Sequence, residues 1–110
     1  MAYHLELDEK AVVPYLLNLD LSSAGREKLL EGLELIRQHG DILALEADRR
    51  RWPGSPYFEV EWLFRDPVNG SFHSLRLIVN DASAQFGVLR VVYADEGRGI
   101  GGSAADWSVP

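Results

Sequence analysis

Two runs of alternating apolar and polar residues face each other across the turn segment Asp66-Pro67-Val68-Asn69-Gly70. In the first run, Tyr57–Arg65, Phe58, Val60, Trp62 and Phe64 fall on one side and Glu59, Glu61 and Arg65 on the other. The second run, Ser71–Asn80, alternates in the same way. A period of two predicts strands, so the pair reads as a β-hairpin. A two-residue Asn69-Gly70 turn sets Phe64 against Leu75, Trp62 against Leu77 and Val60 against Val79. Pro67 also permits a longer loop over 66–70, which keeps the same faces only if the register moves by an even number.

Tyr3, Leu5 and Leu7 alternate with His4 and Glu6, which predicts a short first strand. Pro14 suits the first turn of a helix and not its interior, so a short helix is expected from about Pro14 to Leu19. A kinked helix from Glu9, capped by Asp8, is the alternative. A longer helix follows. Ser22 or Ser23 supplies its N-cap, and Leu29, Leu33 and Ile36 repeat at helical spacing with Leu30 widening the stripe. Arg37 and His39 sit in the last turn, and Gly40 provides the stop. The stretch 41–56 is ambiguous in its first half, and Arg49-Arg50-Arg51-Trp52-Pro53-Gly54-Ser55-Pro56 has the composition of a loop. A last strand is expected over Phe86–Ala94, with Leu89, Val91 and Tyr93 on its core face. The glycines at 97, 99, 101 and 102 build no core.

These elements spell an α+β fold of order β-α-α-β-β-β. An antiparallel sheet carries helices packed on one face. The domain covers 1–96, and 97–110 is a flexible Gly-rich C-terminal tail.

Composition narrows the chemistry. Charged residues make up 25% of the 110 positions and hydrophobic residues 46%, as expected for one globular domain. With no cysteine there is neither a disulfide nor a thiolate metal site. No apolar run approaches the roughly 20 residues of a membrane span, and Met1-Ala2-Tyr3-His4 does not open a signal peptide. The expected location is the cytoplasm. A net charge of −6 repels a phosphate backbone and disfavours nucleic acid as a partner.

Candidate chemistry concentrates on the second face of the sheet. Glu59 and Glu61 share it with Arg76 and Arg90, and the expected pairing brings the two arginines almost opposite each other. Two readings stay open. Arg76 and Arg90 form a pocket that grips a carboxylate or phosphate with planar forks, with Glu59 or Glu61 as base. Or the four residues neutralise one another as an ion-pair ladder. His4, His39 and His73 lack metal-ligand spacing, and His73 falls on the core side near the turn. Ser22, Ser23 and Ser103 lack a nucleophile context. Gly97, Gly99 and Gly102 match a Gly-x-Gly-x-x-Gly spacing, with no following helix to make it a dinucleotide site. Arg49-Arg50-Arg51 beside Trp52 is a cationic loop that could touch an acidic partner or RNA. No cofactor is implied.

The opening Met1–Ala11, the segment Arg26-Glu27-Lys28-Leu29-Leu30, and the strands Leu75–Val79 and Val88–Tyr93 are together similar to the RelE/ParE toxin–antitoxin superfamily. The resemblance implies ribosome-dependent mRNA cleavage, with Arg65, Arg76 and Arg90 as sheet-face cations and Tyr93 as the C-terminal aromatic. The acidic ending Tyr93-Ala94-Asp95-Glu96 departs from the basic surface such toxins use. The residues themselves point first to a protein-interaction domain that binds a protein partner or itself, and not to an enzyme.

Overall fold

A computed structural model describes residues 3–39, 47–51 and 54–97. Its order is β1 (His4–Leu7), α1 (Val13–Leu17), α2 (Ser23–His39), β2 (Ala47–Arg51), β3 (Tyr57–Arg65), β4 (Phe72–Asn80), a 3₁₀ turn (Ala84–Phe86) and β5 (Val88–Glu96). The expected α+β class is present, and the elements follow the expected order with one strand, β2, added after α2. The expectations for Gly40, Trp52 and the tail from residue 98 lie outside the described residues.

The five strands form one sheet ordered β1-β5-β4-β3-β2. β1 runs parallel to β5, and the other three pairings are antiparallel, so the sheet is mixed. The parallel pairing follows from the chain path, because two helices and three strands separate β1 from its neighbour. Leu16, Leu29, Leu33 and Ile36 from the helices meet Phe58, Val60, Leu75, Leu77, Val79, Leu89 and Val91 in one core. Burial of the aliphatic side chains contributes roughly 1.5–3 kcal/mol each.

The sheet expected to be antiparallel is mixed, and three further expectations are corrected. The arginine run is not loop. Arg49, Arg50 and Arg51 lie in β2 and oppose Val60, Glu59 and Phe58. Charge disguised a strand that sits at the sheet edge, where charged residues are at home. Leu30 does not widen the buried stripe, since it is 60% exposed. The third correction concerns β5. Val79 opposes Val91 but Ile78 opposes Tyr93, so Val92 is an extra residue, a β-bulge. The bulge reverses the alternation beyond it. Tyr93 leaves the core face, and Ala94 enters the core instead.

The β3–β4 register is two residues away from the tight-turn expectation, with Trp62 opposite Leu75, Val60 opposite Leu77 and Phe58 opposite Val79. The shift is even, so every face is preserved. The longer loop is the reason. Asp66 N–H donates to Ser71 O, and Gly70 N–H donates back to Asp66 O. Gly70 takes φ +77°, a conformation that favours glycine.

Asp66 also fastens this loop to the start of α2. Its carboxylate accepts from Ser22 N–H at 2.7 Å and Ser22 Oγ at 2.6 Å. It accepts from the N–H groups of Val68 and Asn69 as well. Ser22 in turn accepts from Gly25 N–H as the helix N-cap. A Cβ on Gly25 would lie 2.3 Å from Asp66 Oδ2, so the approach needs glycine there despite its poor helix propensity.

Candidate functional site

The second face of the sheet carries the charged residues expected to form a site. Alternation puts Glu59, Glu61, Arg76, Ile78 and, after the bulge, Tyr93 and Asp95 there. The face is not a wet ladder. Glu59 is 1% and Glu61 6% exposed, and Ile78 is buried too.

Arg76 is the centre of this cluster. The bulge brings Asp95 directly opposite it. The guanidinium donates Nε to Asp95 Oδ1 at 2.7 Å and Nη2 to Oδ2, a bidentate fork. Glu59 Oε1 lies 4.0 Å from Nε. The Asp95 carboxylate, ahead of Glu59, pushes the Arg76 pKa up against the opposing effect of desolvation. Arg76 therefore stays charged and turned toward protein carboxylates. Glu61 opposes Arg76 in the ladder, yet its buried Oε1 accepts no hydrogen bond among the described residues. Gly97 closes over this spot, since its N–H donates to Ser74 O. A Cβ at Gly97 would lie 2.4 Å from Ser74 Oγ and 3.0 Å from Glu61 Oε1.

Arg90 is elsewhere. It opposes Asn80, not Arg76, and the four-residue offset along β4 amounts to about 13 Å. The expected facing of the two arginines is thus corrected, and the cause is again the register that places Asp95 beside Arg76. Arg90 donates Nε to Glu6 Oε1 at 2.8 Å and Nη1 to Ser83 Oγ at 3.0 Å. Arg65 is at the far end of β3, opposite Phe72, with its guanidinium 5.7 Å from that ring. Of the four residues the RelE/ParE resemblance singles out, only Arg76 and Tyr93 are neighbours. His73 stacks on Phe64 with ring centroids 5.4 Å apart, in keeping with its expected structural place. No group of three or more acidic or histidine side chains able to hold a metal occurs among the described residues.

A different surface carries exposed apolar area. Between β1, α1 and α2 runs a groove bounded by Leu7, Val13, Leu16, Leu29, Leu30 and Leu33, enclosing about 190 Å³. It continues as a shallower trough past Leu5 toward Glu34 and Arg37. Leu17 is 63% and Leu30 60% exposed at its lip. α1 is only five residues long, too short to cover the end of α2 beside it, and β1 is a sheet edge. The groove results from these two short elements. Arg26 adds a cation to the groove lining, and on the rim of the trough Glu34 holds Arg37. The sequence signal for this surface was Leu30 and Leu17, apolar residues one step outside the core periodicity.

No helix among the described residues is long and apolar enough to cross a membrane. In comparisons with family models, with curated proteins and with solved structures, the chain matches none.

Proposed function

We propose that this chain is a small protein-interaction domain that receives its partner in the groove between β1, α1 and α2. The observation that carries the reading is the pair of exposed leucines, Leu17 and Leu30, at the lip of an apolar groove next to a strand edge that no other strand covers among the described residues. Scattered surface leucines need no explanation, but contiguous apolar area beside an unpaired strand does. The arginines of the sheet support the same reading by their engagement. Arg76 is held by Asp95 in a largely buried pair, and Arg90 is paired with Glu6 at the surface.

Photo-crosslinking in cells tests the proposal. A photoreactive amino acid placed at position 30 or 17 gives a discrete adduct of higher mass. The same group at Phe72, 65% exposed on β4 two strands away from β1, gives none. Equal labelling from all three positions, or no adduct from the groove, contradicts the reading.

A further inference from the structure

We propose that the outer edge of β1, which no other strand covers among the described residues, pairs with β1 of a second copy of this chain, joining two sheets into one. This deepens the groove reading and rests on it. The backbone of β1 shows which groups are available. His4 N–H donates to Gly87 O and Asp8 N–H to Val91 O. Even-numbered residues therefore turn their peptide groups toward β5, and odd-numbered ones turn them outward. Tyr3 N–H, the first outward group, is taken by Arg37 O at the end of α2. The N–H and C=O groups of Leu5 and Leu7 remain, with no backbone partner across the edge among the described residues.

Symmetry then selects the register. Two identical strands related by a two-fold axis must set residues of the same face opposite each other. Centring the axis on Leu5 would call on the Tyr3 N–H already bonded to Arg37. Centring it on Glu6 places Leu5 opposite the second copy's Leu7 and satisfies every outward group of both residues. The charges agree with that choice. The two Glu6 side chains would face each other, and each is already held by its own Arg90 at 2.8 Å, with His4 3.8 Å from its other oxygen. The same register sets His4 opposite the second copy's Asp8, a complementary pair. A seam neutralised in this way suits two copies of a chain of net charge −6, which would otherwise repel.

The apolar side closes the interface. Opposite residues share a face, so both α2 helices flank the seam on the same side, with Leu30 of each beside it. Four-residue strands alone fall short of the roughly 1,200 Å² of a stable interface. Covering the groove and Leu30 must supply the remainder.

The chain has no cysteine, so single cysteines report the register cleanly. At the axis, Glu6 and its copy form a non-hydrogen-bonded pair with Cα atoms about 4.5 Å apart, within disulfide reach. Under mild oxidation Glu6→Cys forms a covalent dimer. His4→Cys, whose copies lie about 13 Å apart in the same register, does not. Sedimentation velocity over a hundredfold dilution shows a reversible dimer for the unmodified chain. Leu30→Glu raises its dissociation constant by about tenfold or more while the circular dichroism stays unchanged. A monomer at every concentration overturns the proposal, as does a dimer in which His4→Cys crosslinks as readily as Glu6→Cys. If the chain is monomeric while position 30 still crosslinks to a different protein, self-pairing fails and the groove reading stands. If neither occurs, both fail.

Discussion

At the scale of single residues, Asp66 does the most to join local structure to the fold. Burial alone would raise its pKa. Hydrogen bonds from Ser22, Val68 and Asn69 outweigh that and hold it down to about 2. A depressed folded value means that the stabilisation is fully present above the unfolded carboxylate value, about 3.9. It is lost as pH falls from there through about 2. Asp66→Asn should therefore lower the urea midpoint at pH 7 and flatten its fall between about pH 4 and pH 2. Urea denaturation across that range checks this, and a parent-like pH slope in the variant contradicts it. Part of the residue was legible. Asp before proline at a hairpin tip is a turn signal, and the side chain does cap Val68 and Asn69. Its remote partner was not legible, because nothing in the sequence near Ser22 points forty-four positions ahead.

Among elements, the strand pairings divide into those the pattern could reveal and those it could not. Phe58, Val60 and Phe64 declared the core face of β3, and an even register error left that face intact. β2 stayed hidden because three arginines in a row carry no alternation. The bulge at Val92 stayed hidden because Leu89-Arg90-Val91-Val92-Tyr93 reads smoothly as a regular strand. That single extra residue decides the candidate site, since without it Arg76 would oppose Ala94 and not Asp95. The consequence can be measured. Arg76→Met removes the guanidinium from Asp95 and Glu59 on a largely buried face. Breaking a buried pair from one side costs roughly 3–5 kcal/mol, and partial exposure of Asp95 places this case at the lower end. Denaturant titration at pH 7 tests this, and a variant with the parent's midpoint rules it out.

For the whole molecule, the sheet divides its labour between two faces and one edge. One face is packed by α1 and α2. The other turns its charges on itself around Arg76, and on Arg90 with Glu6. Among the described residues, that leaves the β1 edge and the leucine-lined groove uncovered, and the proposed partner is placed there for that reason. Activity was less legible than fold because it depends on which surface remains open, and short elements set that more than any motif does. Site-resolved amide hydrogen exchange, compared between dilute and concentrated protein, tests this division most directly. The account predicts that the amides of Leu5 and Leu7 exchange freely when dilute and become protected at high concentration, while those around Arg76, Tyr93 and Asp95 do not change. Protection that appears on the Arg76 face and leaves Leu5 and Leu7 untouched would contradict it.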